Sequence, residues 1–212
     1  MLWGRVCGWN WFNFFVANSL DKKVVRLSFD AATESCVRLL AFGSLEVPFA
    51  GRTGYSVVVA ENLAHNDLIS LAIAGRRLTE AGNLYELLKK HEVGCQVPAQ
   101  ITPSKWKFLA LESKINLWDL FGKIIHSSEF DIIAHDFWIK SKLGLFKNDY
   151  EELFKASKFK NHFKPLFRLT TDRTPLLFCE VIEVATSTLK FLEDSADELE
   201  EQDIDLGEYE LD

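Results

Sequence analysis

Lysine and arginine are missing from the end of this 212-residue chain: none stands between Glu193 and Asp212, where eleven Asp and Glu are found. That leaves 20 acids against 24 Lys and Arg in residues 1–192, so the net charge of −7 divides into a body of +4 and a strongly acidic end. An asymmetry of this kind points to a nucleic-acid or protein partner rather than to a fold. Chemistry-bearing spacings are equally scarce. Cys7, Cys36, Cys95 and Cys179 lie far apart with no C-x-x-C pair, which argues against a metal knuckle and for buried free thiols. There is no G-x-S-x-G elbow, P-loop or Rossmann glycine pattern, and Gly51-Arg52-Thr53-Gly54 reads as a turn. No run of 18 apolar residues exists, so no membrane span is expected. Asn10 and Asn13 interrupt the aromatic start, which speaks against a secretory leader and for a cytoplasmic location. Five Pro and 11 Gly leave no room for long linkers.

What is present is a chain 48% hydrophobic, enough to bury a core within one domain, 1–192, followed by an acidic tail, 193–212. The expected class is α+β, with an N-terminal, mostly antiparallel β region over 1–78, a helix-rich middle over 79–165 and a hairpin over 166–185. In VVRLSFD, Val25, Leu27 and Phe29 alternate with Val24, Arg26 and Ser28, and SLEVPF alternates likewise. AGRTGYSVVVA and DLISLAIAG read as further apolar strands. LTEAGNLYELLKKHEVG reads as a helix through Leu84, Leu87 and Leu88 that stops at Gly94. Ser128 with Asp131, and Asn148 with Glu151, have the spacing of capping boxes and predict helices near 129–143 and 149–158. Segment 104–125 fits a helix through Trp106, Leu109, Leu117, Leu120, Phe121 and Ile124, while its first half also fits a strand. RLTTDRTPLLFCEVIEV reads as a hairpin turning around Thr171–Pro175. Leu189, Leu192 and Leu199 carry a helical period into the acidic end.

The candidate nucleic-acid site is the stretch 137–168, where Lys140, Lys142, Lys147, Lys155, Lys158, Lys160, Lys164 and Arg168 outnumber the acids. Trp138, Phe146 and Phe159 stand among them. Cations bind phosphates by releasing counterions, and exposed aromatic faces stack on unpaired bases. The same spacing also suits amphipathic helices with aromatics inside and lysines outside. In the tail, Leu206, Tyr209 and Leu211 interleave with Asp203, Asp205, Glu210 and Asp212. That pattern suits docking on a basic partner protein or competition with nucleic acid for the chain's own cations. In charge layout alone the chain is similar to single-stranded-DNA-binding proteins of some phages and bacteria, which combine a basic aromatic cleft with an acidic C-terminal tail.

One further run resembles the PD-(D/E)xK nuclease core: a helix with Glu80 and Glu86, then Glu112-Ser113-Lys114. That resemblance implies Glu112 as a Mg²⁺ ligand and Lys114 as the residue orienting water. The upstream Asp of the pattern is missing, since no Asp lies between Asp67 and Asp119. His126, Glu129, Asp131, His135 and Asp136 cluster in HSSEFDIIAHD without a zinc-ligand spacing, and a structural role suits them as well. By elimination the chain is expected to be a non-enzymatic binding protein, needing no metal or cofactor, whose partner is nucleic acid. The alternatives are an acidic inhibitor or immunity-type protein that covers a basic partner, and a metal-dependent nuclease, active or degenerate.

Overall fold

The computed structural model describes residues 8–44, 55–96, 99–102, 105–107, 112–133, 165–173 and 177–206. Its helical layer follows from a three-and-four spacing of small and apolar residues. Helix α1 (Gly8–Gly43) buries Val25, Phe29, Ala32, Cys36, Leu39 and Gly43 along one stripe. Helix α2 (Tyr55–Ala81) repeats the spacing with Glu61, Ala64, Leu68, Leu71, Gly75 and Leu78. The two pack along their length, and Arg38 ties them by holding Asp67 at 2.8 Å and Glu34 on its own helix. Gly43 brings the end of α1 against the last helix, α5 (Val181–Glu201): a Cβ there would lie 3.0 Å from the Ile182 backbone.

Short elements follow α2. Asn83, at φ 54°, turns the chain so that the Leu84 amide returns to Thr79 O at 2.9 Å, closing α2 with a left-handed cap. Then come α3 (Tyr85–Lys90), β1 (Glu92–Gln96), β2 (Ala99–Thr102), β3 (Lys105–Lys107), β4 (Glu112–Asn116), α4 (Leu117–Ile125) and β5 (Glu129–Ile133). After β6 (Leu166–Thr170) and β7 (Leu177–Glu180), α5 ends the described chain. Among the described residues β2 and β3 pair with each other as a separate two-stranded sheet. The remaining strands form an antiparallel sheet in the order β4-β1-β7-β6-β5.

The sheet lays one face on the helices. Val93 and Cys95 of β1, Leu177 and Cys179 of β7, Phe167 and Leu169 of β6 and Ile132 of β5 alternate inward into the common core. Each strand thus keeps the two-residue period of a pleated surface. Among the described residues β7 meets β1 at two register positions, Cys95 with Cys179 and Gln96 with Phe178. Beyond them Ser187 Oγ of α5 donates to Glu92 O at 2.8 Å. The opposite face buries Leu166 and Phe178 and carries Arg168, which donates to Asp131 Oδ2 from Nε at 2.9 Å and Nη2 at 2.7 Å.

The predicted β-rich N-terminal region is overturned. VVRLSFD lies in α1, and the apolar runs beginning at Tyr55 and Asp67 lie in α2. Leu27 decides between the periods: a strand would place it beside Val25 and Phe29, yet it is 58% exposed while both of those are buried. Local β preference of the valines gives way to helix–helix burial, and small polar residues, Ser28 and Ser35, sit in the buried stripe where they disguise it. The expected SLEVPF strand falls outside the described residues. So does the helix near 149–158. The helix expected near 129–143 begins instead as β5: Ser128 bonds across to Thr170, with its amide 2.9 Å from Thr170 O, so its side chain is not free to cap. Gly94 lies within β1 rather than at a helix end, because His91 already closes α3. Segment 104–125 holds both expected forms, as β3, then β4, then α4. The hairpin expected over 166–185 is present as β6 and β7 but ends at Glu180, since residues 181–185 open α5.

Candidate functional site

A cleft of about 810 Å³ opens between α2, α4 and the β6–β7 turn. α4 makes one wall because its start is fixed twice: the Asp119 amide donates to Asn116 Oδ1 at 2.8 Å, and Leu117 N donates to His91 O at 2.9 Å. Leu117, Leu120, Phe121 and Ile124 face the core. The other stripe of the helix, Trp118, Asp119, Gly122, Lys123 and His126, lines the cleft. Phe121 locks the helix on α2, for it fills the space beside Gly75, where a Cβ would stand 2.4 Å from Cε2.

α2 contributes Arg76. Its guanidinium carbon lies 3.3 Å from the centre of the Trp118 ring, a cation–π contact, and Glu80 one turn on holds Nη2 at 3.6 Å. Tyr85 meets the indole edge-on at 4.6 Å and 84°, and Lys89 sits 4.0 Å over the Tyr85 ring. A pile of cation, indole, phenol and cation therefore fixes Arg76, whose side chain stays 26% exposed. Arg173 and Asp172 approach from the turn, together with Thr171. The lining thus carries Arg76, Lys123, Arg173 and His126 beside Asp119 and Asp172.

Of the residues singled out in the sequence, Arg168 is half-buried on the sheet with its guanidinium on Asp131, and Glu129 stands 3.8 Å away. Trp138, Lys140, Lys142, Phe146, Lys147, Lys155, Lys158, Phe159, Lys160 and Lys164 lie outside the described residues, as do His135 and Asp136. Lys114 reaches Glu92 at 3.2 Å across the β1–β4 pair, and Glu112 opens β4 opposite Gln96, its side chain outside the described ones. Among the described residues no three His, Cys, Asp or Glu are grouped to hold a metal ion. At the acidic end, α5 remains packed: Ser195 and Leu199 are fully buried, and Ile204 and Leu206 rest on the core. Asp203, at φ 59°, caps the helix as Asn83 does, with Ile204 N returning to Leu199 O at 2.9 Å. Lys22 Nζ donates to Asp203 O at 2.6 Å. Asp205 is exposed, and Tyr209, Glu210, Leu211 and Asp212 lie outside the described residues. Glu193, Asp197, Glu198, Glu200 and Glu201 are exposed on the outer side of this helix.

Three thiols are buried. Burial pushes Cys36 up to about 11, partly offset by a main-chain hydrogen bond with Leu189. Burial also raises Cys95 and, further, Cys179. Such thiols are poor nucleophiles, and Cys36 instead donates to Ala185 O at 3.0 Å, tying α1 to α5.

The cleft residues escape a sequence search because they come from three distant segments. Two signals were nonetheless present: Trp118 falls off the apolar stripe of its own helix, and Gly122 stands mid-helix where glycine is unfavourable. No helix among the described residues is long and apolar enough to cross a membrane. No protein-family model matches this chain, and no curated protein or solved structure is significantly similar to it.

Proposed function

We propose that this chain is a non-enzymatic binding protein that associates with nucleic acid. The observation that carries this is the cleft where the Arg76 guanidinium lies over the Trp118 ring, with Lys123, His126 and Arg173 in the same lining. Such a site offers a stacking plane and phosphate-binding cations together, which is what an unpaired strand requires. The basic, aromatic stretch 137–168 supplies further cations in the sequence immediately before β6. The exposed carboxylates of α5 are the internal competitor, repelling phosphate from the rest of the surface.

Fluorescence anisotropy of the full chain with a labelled oligonucleotide tests this across a salt series. Binding at low salt is expected, with the logarithm of the binding constant falling linearly with the logarithm of salt concentration. The variant Glu193→Gln, Asp197→Asn, Glu200→Gln, Glu201→Gln should bind more tightly. No binding at low salt by either protein overturns the proposal.

A second reading, an acidic inhibitor of a basic protein, is favoured by one feature: the acids of α5 are exposed on a packed helix and not on a loose end. The same variant separates the two. Neutralising those acids strengthens binding in the nucleic-acid case and abolishes capture of a basic protein in the other.

A further inference from the structure

We infer that the cleft admits one unpaired nucleotide, so that the chain prefers single strands to duplex; this rests on the nucleic-acid proposal above and narrows it. Four observations converge. The volume, about 810 Å³, is of the size that holds a small ligand, and the recess is open to solvent. Bases within a duplex are held in their stack and cannot enter a concavity, whereas an unpaired base can be splayed out onto an arginine plane or an aromatic ring. Arg76 provides such a plane already ordered, because Trp118 and Glu80 hold it before any ligand arrives.

Gly122 supplies the second observation. It lies in the interior of α4 where alanine would be better by about 1 kcal/mol, and a Cβ there would come into ordinary contact, at 3.4 Å, with Arg76 Nη1. The missing side chain leaves the ground beside the guanidinium open. The third is the mixture of signs. Asp119 and Asp172 would oppose a bare phosphate, but carboxylates accept from the exocyclic amino groups of cytosine, adenine or guanine. The lining therefore matches a base with its phosphate better than a simple anion. Finally, His126 and Arg173 are exposed at the edge of the same cleft, where the phosphate of a seated nucleotide would stand.

The test compares a single-stranded oligonucleotide with the duplex of the same sequence, using the full chain and two variants. Gly122→Met puts a flexible side chain into the cleft while improving helix propensity. Arg173→Glu reverses a charge on an exposed turn and leaves the core alone. Circular dichroism checks that both variants are folded. Single-strand affinity should fall about tenfold or more in each variant, with duplex affinity weaker at the outset and little changed by Gly122→Met. If the wild-type chain binds single strand and neither folded variant weakens it, the cleft is not the seat of the base, and the nucleic-acid proposal survives through other residues. If duplex binds as tightly as single strand, the preference is overturned. If the wild-type chain binds neither at low salt, both the inference and the proposal fail.

Discussion

At Gly75 the absence of one methyl group decides how closely two helices approach. Alanine there would place its Cβ 2.4 Å from the Phe121 ring, a distance that real contacts do not reach. Gly75→Ala should destabilise the protein by about 1–3 kcal/mol through overpacking, against a helix-propensity gain of about 1 kcal/mol. A shifted urea midpoint at unchanged slope would register it, and Phe121→Leu in the same chain should recover part of the loss. A second expectation concerns Cys36. Its thiol holds its proton to about pH 11 in the folded chain and releases it near the ordinary value of 9.0 when unfolded. Between those values the folded state binds more protons, so stability falls as pH rises from about 9 toward 11. Cys36→Ala should flatten that decline in denaturation curves taken across the window. Buried free thiols were legible from cysteine spacing. The identity of their partners was not, because Ala185 is 149 residues away.

Among elements, α5 departs furthest from what its composition suggests. Four of its last seven residues are acidic, yet the inward residues Ser195 and Leu199 keep the buried stripe going, and the left-handed cap at Asp203 seats Ile204 on the core. Leu199→Ala should therefore cost about 2–5 kcal/mol, as a core truncation does, although its neighbours are solvated acids. Amide hydrogen exchange should show protection through this turn in the parent chain and its loss in the variant. The approximate period of Leu189, Leu192 and Leu199 made this helix legible. The helical layer of the first 81 residues was not, and the reason is physical: Val24, Val25, Leu27 and Phe29 are good strand residues, and only the long-range choice of which ones to bury selects the helix. The late hairpin was legible because its turn residues are local. On the sheet's second face, Arg168 was singled out as a phosphate contact, whereas its place on Asp131 gives it a structural task. Asp131→Asn should weaken the β5–β6 pairing by about 1–3 kcal/mol, measured by thermal unfolding, since two charge-assisted bonds lose their anion.

For the molecule as a whole, the sequence disclosed that charge is divided, but not which charged side chains stand together. Arg76, Trp118 and Arg173 are brought together only by the packing of α2 on α4 and of the hairpin beside them. Trp118 and Gly122 were the local hints, each out of keeping with a helix that needs only to be buried on one side. A chain cut after Leu192 would lose Ser195 and Leu199 from the core along with the carboxylates. It should unfold at markedly lower denaturant concentration than the parent. Removing charge by substitution, with the helix retained, is consequently the informative way to ask what the acids do.

Because α5 is held in place by its buried side, its carboxylates form a ruler rather than a cloud. Glu193, Asp197 and Glu201 recur at about one helical turn, so their backbone positions repeat at roughly 6 Å along a fixed line. A flexible acidic end would answer to the total charge of whatever approaches it. A fixed helix would answer to spacing as well. Cationic partners of equal charge should be sorted by whether their own lysines or arginines keep that interval, and moving one glutamate by a single position would change the mark without changing the sum.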